Sequence, residues 1–258
     1  MFEYFKLEEA DGIAVATFER LPVNAFSYDA YRELGAMAEQ VEASETIKCL
    51  ILAGSPKARA WVGGADLQDL LACDPQTRME RYKLINQMMP KLYNLDRPVI
   101  AAIGGPAVGV GTSLASYCDI RVASSKAFFA KPEIDRGVVA SGGIQLMRVG
   151  LPAGFVREMI YTARRVPAAE MKAAGFIDHV VEPDQVLEKA MEIARVIATK
   201  SLPSLKANKI CNNAVEGMPW HEGYRLTQEY SARLTGGADA KEGIRAFLEH
   251  RKTNYQNR

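Results

Sequence analysis

Apolar and polar residues alternate along the first half of the chain in a pattern typical of strands separated by helices. Strands are predicted as a hairpin over 5–20 with its turn at Asp11-Gly12, and singly over 48–54, 98–103 and 119–124. KCLILAG and PVIAAI are almost wholly apolar, as expected of strands buried on both faces. Helices are predicted over 27–44, from about 64–71 and near 76–95. This order predicts βαβ crossovers and a largely parallel sheet.

The second half of the chain has helical spacing almost throughout. Helices are predicted over 152–166, 167–175, 183–200, 203–216, 221–235 and 238–252. The only strand candidate after about residue 140 is IDHVVE, residues 177–182. We therefore expect an α/β core over residues 1–195 and a C-terminal helical region over residues 196–258.

Composition and charge exclude several classes of protein. The 258 residues include 32 basic and 31 acidic side chains, so neither nucleic acid nor a membrane surface is an expected partner. No apolar run reaches the roughly 18 residues of a membrane span, and the beginning, MFEYFKLEEADG, does not fit a secretory signal. The four cysteines and three histidines are scattered, which predicts free thiols, no metal site and a cytoplasmic location.

A glycine-rich segment, IGGPAVGVGTSLASYCD at 103–119, follows a predicted strand and leads into a predicted helix. Three familiar ligand sites do not fit it. A dinucleotide-binding turn requires glycine where Leu114 stands, and a phosphate-binding loop requires lysine where Val110 stands. A serine-nucleophile turn places its serine directly after the strand, whereas about nine residues separate Ile103 from Ser113.

A second glycine turn, AWVGGADLQDL at 60–70, also lies between a predicted strand and a predicted helix. Backbone N–H groups at a helix start have no intrahelical acceptor, and two of them converging on one point would stabilise an oxyanion. The alternative for the 103–119 loop, taken alone, is that its glycines serve only the close packing of a helix on a strand.

Six segments, in order and spacing, give nearly the whole chain a resemblance to the crotonase superfamily of enoyl-CoA hydratases and isomerases. They are PVNAF (22–26), GGADL (63–67), RPVIAAIGGPAVGVG (97–111), CDIRVAS (118–124), FFAKPEIDRGVV (128–139) and KEGIRAFLEHRK (241–252). The resemblance implies a crotonase-like fold, a ββα spiral core with a helical C-terminal region. It also implies an acyl-CoA substrate, with coenzyme A as part of that substrate and no other cofactor required.

The resemblance also assigns roles to individual residues. Ala65 and Val110 would supply the two N–H groups of an oxyanion hole. Hydratases of the family use two glutamates, of which one matches Glu133 in Lys-Pro-Glu and the other falls at Ser113. The residues expected to bind substrate are Pro22, Val23, Ala25, Gly63, Asp66, Leu67, Gly109, Pro132 and Phe247, the last often across a subunit interface in relatives.

The missing carboxylate leaves the reaction open. A single base, Glu133, can serve both carbon positions of a double-bond isomerisation, so isomerisation is favoured over hydration. Hydration with Ser113 in place of glutamate, acyl-CoA hydrolysis, and a non-catalytic or RNA-binding role are the alternatives. Ser113 could also bond back to a helix carbonyl, and Glu133 could be a solvated or salt-bridged loop residue.

The last two predicted helices carry more apolar positions than an isolated appendage should expose. Members of the superfamily form trimers, often paired into hexamers. We therefore expect a homotrimer or a hexamer that is a dimer of trimers.

Overall fold

The structure, a computed structural model, describes residues 2–257. Its strands are β1 (Phe5–Ala10), β2 (Ile13–Phe18), β3 (Ala25–Phe26), β4 (Cys49–Gly54), β5 (Gly64–Ala65), β6 (Val99–Ile103), β7 (Ala107–Val108), β8 (Ile120–Ser124), β9 (Phe128–Ala130), β10 (Val166–Pro167) and β11 (His179–Val181). Its α-helices are α1 (Tyr28–Ala43), α2 (Leu67–Leu71), α3 (Pro75–Tyr93), α4 (Val110–Ala115), α5 (Ile144–Arg148), α6 (Ala153–Thr162), α7 (Ala168–Ala173), α8 (Val186–Ala198), α9 (Leu202–Val215), α10 (Trp220–Thr235) and α11 (Ala238–Leu248). Two 3-10 helices cover Pro132–Arg136 and Pro183–Gln185.

The main sheet has six strands in the order β1-β2-β4-β6-β8-β11. β1 and β2 form the antiparallel hairpin that the sequence predicts, and every other neighbouring pair is parallel. All of β6, and all of β4 except Gly54, is buried. This burial explains the two continuous apolar runs, because a parallel strand in the middle of such a sheet is covered on both faces.

Helices cover the two faces of the main sheet. On one face α8 contributes Ala190, which belongs to the same apolar cluster as Ile51. On the other face α1 contributes Leu34, which belongs to the cluster that contains Leu50 and Leu52. Successive side chains of β4 therefore enter opposite layers of the core, as the strand's two-residue period requires.

Short strand pairs connect the main sheet to the glycine turns. β7 pairs with β9 in parallel, with Val108 opposite Ala130, and β3 pairs with β5 in parallel, with Phe26 opposite Ala65. A single bridge joins Val62 to Ala107. These pairings bring the segments around residues 64 and 109 to one side of the sheet.

The helix predicted over 152–166 is shorter than expected. It ends at Thr162, Ala163 adopts a left-handed conformation with φ 51°, and Val166 pairs with Phe129. The expectation of a single strand after residue 140 is therefore wrong. Burial of the Val166 side chain against the rest of the core outweighs the helical spacing of this segment.

Arg97 joins α1 to β6. Its side chain is fully buried, and its guanidinium donates to the carbonyl oxygens of Val41 (2.7 Å), Glu42 (2.9 Å), Ser44 (3.0 Å) and Ile47 (2.8 Å). Val41 and Glu42 lie in the last turn of α1, where the carbonyls lack the usual donor four residues further on. Arg97 thus satisfies the last turn of α1 from within the core.

The C-terminal helices leave large apolar side chains exposed. The exposed fractions are 79% for Trp220, 60% for Ile244, 80% for Phe247 and 72% for Leu248. Single exposed apolar residues are ordinary, but several on neighbouring helices indicate a contact surface. None of the helices within residues 2–257 is both long and apolar enough to cross a membrane.

Candidate active site

The two glycine turns found in the sequence meet in space. A Cβ atom placed on Gly109 would lie 3.7 Å from the Gly64 Cα, and one on Gly64 would lie 3.5 Å from the Val108 oxygen. Gly64 and Gly109 have φ of 117° and 55°, a region that favours glycine. The backbones of the two turns can approach this closely because neither Gly64 nor Gly109 has a side chain.

Each turn presents a backbone N–H group with no partner in its own element. Val110 is the first residue of α4, and Gly109 before it has no side chain to cap the helix. Asp66 donates its N–H to the Phe26 oxygen at 3.0 Å. Because successive N–H groups of an extended segment point to opposite sides, the Ala65 N–H points away from β3. Ala65 and Val110 both line the same cavity.

The pairing of β7 with β9 places Lys131 beside Gly109. The Gly109 N–H donates to the Ala130 oxygen at 2.8 Å, so the next residue, Lys131, continues alongside the turn. Ser113 lies four residues after Gly109, and residues four apart share a face of a helix. Lys131 can therefore reach both the Gly109 carbonyl and the Ser113 hydroxyl.

The Lys131 ammonium donates two hydrogen bonds and forms one ion pair inside the protein. Its Nζ lies 3.0 Å from the Gly109 oxygen, 2.8 Å from Ser113 Oγ and 3.1 Å from Glu133 Oε1, and the side chain is 1% exposed. Three acceptors match the three N–H groups of the charged form. Burial lowers the pKa of Lys131, and the charge and hydrogen bond of Glu133 oppose that shift.

The two oxygens of Glu133 have different surroundings. Oε1 accepts from Lys131, whereas Oε2 is buried and has no hydrogen-bond partner. Glu133 lies in the 3-10 helix that follows β9, and a Cβ on Gly109 would be 3.5 Å from Oε1. A buried carboxylate oxygen without a partner is costly, so its presence beside the second glycine turn is typical of a site that receives a ligand.

All of these groups line one cavity of about 470 Å³. Its walls include Phe26, Tyr31, Ile85 and Met89. A mainly apolar cavity with a few convergent polar groups is the common form of a small-molecule site. Within residues 2–257, no group of three or more His, Cys, Asp or Glu side chains could hold a metal ion.

The structure brings together most of the residues that the sequence analysis proposes for the site. The cavity is lined by Ala65, Val110, Glu133, Ser113, Gly63, Asp66, Leu67, Gly109 and Pro132. Asp66 also caps α2, since its carboxylate accepts from the N–H groups of Gln68 and Asp69. The Asp66 carboxylate is also ion-paired to Arg20, at 2.5 Å.

Four of the proposed residues lie outside the lining of the cavity. Pro22, Val23 and Ala25 stand behind the first glycine turn; the Val23 oxygen accepts from the Gly63 N–H at 2.9 Å. The β3–β5 pairing explains this position, because it holds the segment that contains these three residues against the side of the turn that faces away from the cavity. Phe247 is 80% exposed and does not line the cavity.

Lys131 and Gly142 are members of the site that sequence reasoning missed. Lys131 appears in the sequence only as the first residue of Lys-Pro-Glu, where a buried lysine cannot be distinguished from a surface one. The Gly142 oxygen lies 3.3 Å from Ser113 Oγ. The expected bond from Ser113 back to the Gly109 carbonyl is long, at 3.5 Å.

The arrangement of strands and helices around two meeting glycine turns is the crotonase fold. The family model described as enoyl-CoA hydratase/isomerase matches residues 8–258. The chain therefore belongs to the enoyl-CoA hydratase/isomerase family.

Individual relatives agree with this assignment. The chain is 30% identical over 255 residues to a short-chain-enoyl-CoA hydratase of Clostridium acetobutylicum, covering 98% of this chain and 97% of that protein. It is 30% identical over 258 residues to a crotonyl-CoA hydratase of Syntrophomonas wolfei, with 98% of each covered. The crystal structure of an enoyl-CoA hydratase from Bacillus anthracis superposes with a TM-score of 0.93 at 28% identity, covering 99% of this chain and 100% of that chain.

Proposed function

We propose that the enzyme transfers a proton at the α-carbon of an unsaturated acyl-CoA thioester, with Glu133 as the base. The observation that carries this proposal is the buried Oε2 of Glu133, which has no hydrogen-bond partner and lies in the cavity. Oε1 is held by Lys131 at 3.1 Å, so the carboxylate is oriented and its second oxygen is free for a substrate proton.

The backbone N–H groups of Ala65 and Val110 would hold the thioester oxygen of the substrate. Removal of an α-proton moves negative charge onto the thioester oxygen. Two fixed donors aimed at that oxygen stabilise the charge without having to reorient during the reaction. Gly63, Gly109, Asp66, Leu67 and Pro132, which line the same cavity, are proposed to surround the thioester.

Double-bond isomerisation is the reaction that this arrangement supports best. Glu133 Oε2 would remove the α-proton and return it to the γ-carbon, so one carboxylate is sufficient. Hydration is a second candidate, and the observation that favours it is the 2.8 Å contact between Lys131 Nζ and Ser113 Oγ.

The test is Glu133→Gln, which keeps the shape of the side chain and removes the base. Activity would be followed on a panel of acyl-CoA thioesters by mass and by the absorbance of the conjugated thioester. We expect a loss of about 10²–10⁴ in rate with little change in acyl-CoA affinity. Asp135→Asn, an exposed carboxylate two residues away, is the matched control. Full activity of Glu133→Gln would exclude Glu133 as the base.

A further inference from the structure

The position where hydratases of the family have their second glutamate holds a serine, but this serine does not stand alone. Ser113 Oγ accepts a hydrogen bond of 2.8 Å from Lys131 Nζ, and both side chains line the cavity with Glu133. A hydroxyl by itself is a poor proton donor near neutral pH. A hydroxyl that is hydrogen-bonded to an ammonium can pass on a proton and recover it at once.

We infer that Ser113 and Lys131 form a proton relay that replaces a second carboxylate, so that the site also exchanges water at the β-carbon of the acyl chain. The inference rests on the proposed function, because it needs Glu133 to handle the α-proton. Ser113 would touch the substrate oxygen, and Lys131 would act through Ser113.

The contacts of Lys131 determine the direction of the relay. Lys131 donates hydrogen bonds to the Gly109 oxygen and Ser113 Oγ and is ion-paired to Glu133 Oε1, a set of partners that suits the charged ammonium. Lys131 is therefore a proton donor toward Ser113 rather than a base that would activate the hydroxyl as a nucleophile. Together Lys131 and Glu133 provide one acid and one base, which is what a protonated and an ionised glutamate provide.

Burial makes the Lys131 ammonium a stronger acid. The Lys131 side chain is 1% exposed, and burial lowers the pKa of its amine because the charged form loses its hydration. The neighbouring Glu133 carboxylate opposes that effect and keeps the proton in place until Glu133 itself is neutralised.

In the dehydration direction the proton balance closes. Glu133 Oε2 takes the α-proton, the bond between the β-carbon and its hydroxyl oxygen breaks, and the double bond forms. The departing hydroxide takes the proton of Ser113 Oγ and leaves as water. Ser113 Oγ takes a proton from Lys131 Nζ. The site then holds a neutral Glu133 and a neutral Lys131, and hydration is the same sequence reversed.

The site resets without an outside proton donor. After one turnover Glu133 has gained the proton that Lys131 has lost, and the two groups are hydrogen-bonded at 3.1 Å. Rotation of the carboxyl about its last carbon–carbon bond brings the proton to the oxygen facing Lys131. Transfer across that contact restores the starting ion pair.

The experiment compares two reactions in the same enzyme. Deuterium exchange at the α-carbon of saturated acyl-CoA thioesters needs only Glu133 and the oxyanion hole. Water addition to 2-enoyl-CoA thioesters of graded chain length also needs the relay. For Ser113→Ala we expect hydration to fall by about 10² or more in kcat, and to fall by more than the rate of α-proton exchange does. Ser124→Ala, which removes a buried hydroxyl from the end of β8 outside the cavity lining, is the control.

A second variant separates a relay from a structural role. Lys131→Met should lower hydration at least as much as Ser113→Ala, because it also removes the ion pair that orients Glu133. The double variant should lose no more than Lys131→Met alone, because both side chains act in one path. Additive losses in the double variant would overturn the relay. Hydration by Ser113→Ala within about threefold of the parent would also overturn it. A parent that exchanges α-protons but hydrates nothing overturns the inference alone, whereas a parent without exchange overturns the proposed function as well.

Discussion

Gly142 lies directly against the Ser113 hydroxyl. A Cβ atom on Gly142 would overlap with Ser113 Oγ and would lie 3.5 Å from Lys131 Nζ. The backbone of Gly142 is not in the left-handed region, so alanine fits the main chain there and meets resistance only from the Ser113 side chain. A substitution at position 142 can therefore displace the Ser113 hydroxyl while leaving the Ser113 and Lys131 side chains chemically unchanged.

We expect Gly142→Ala to push the Ser113 hydroxyl away from Lys131. Hydration should then fall by about tenfold or more, approaching the loss in Ser113→Ala, while α-proton exchange is largely kept. Gly154→Ala, at a helical glycine with open space around it, is the control. Steady-state hydration and exchange rates check this, and equal losses in both reactions would indicate a general distortion instead.

Val110→Pro tests the second oxyanion-hole donor. Val110 is the first residue of α4, a position that accepts proline because its N–H makes no intrahelical bond. Removing that N–H should reduce turnover by about 10²–10³, the usual loss for one oxyanion donor. Val110→Ala keeps the N–H and should stay near the parent rate. If a folded Val110→Pro enzyme turned over normally, Val110 would not be a donor.

Arg97→Lys should destabilise the fold without touching the cavity. Lysine has three donors in place of five and cannot reach the four carbonyls that Arg97 satisfies. Each buried carbonyl left without a donor costs about 1–3 kcal/mol, so we expect a loss of roughly 2–4 kcal/mol. Urea unfolding at fixed protein concentration measures it. Arg32→Lys, at an exposed arginine, should change stability by much less.

The exposed apolar side chains of α10 and α11 predict self-association. We expect light scattering to give the mass of a homotrimer or hexamer at micromolar concentration, and Phe247→Asp to shift the mass downward. Phe247 is expected to reach the acyl chain of a neighbouring subunit, so the same variant should lose activity. Lys241→Asp, on the same helix, is the control. A parent that stays monomeric would contradict the assembly.

Much of the architecture could be predicted because it rests on local patterns. The apolar runs of β4 and β6 predict buried parallel strands, and the glycines around residues 64 and 109 predict two turns. The strand β11 falls within the predicted IDHVVE segment, but the two-residue strands and β9 could not be predicted, since such segments are too short to show a period. Their existence depends on pairing with distant backbone, as Val166 does with Phe129.

The candidate site also has a part that the sequence could predict and a part that it could not. Ala65, Val110, Ser113 and Glu133 could be located from segment order, and the cavity contains all four. The role of Lys131 could not be predicted, because it follows from the register of β7 against β9 and from complete burial of a side chain that is usually exposed.

If the proposed relay operates, positions 113 and 131 should change together, because one ammonium contacts both Ser113 and Glu133. In a relative with glutamate at position 113 and lysine at 131, the carboxylates at positions 113 and 133 would both pair with the one lysine. A relative with serine at 113 and glutamine at 131 would have no acid behind its hydroxyl. Serine and lysine should therefore be inherited as a pair. An alignment that compares only the carboxylates would then misclassify an enzyme with a complete acid–base pair as one that has lost half of it.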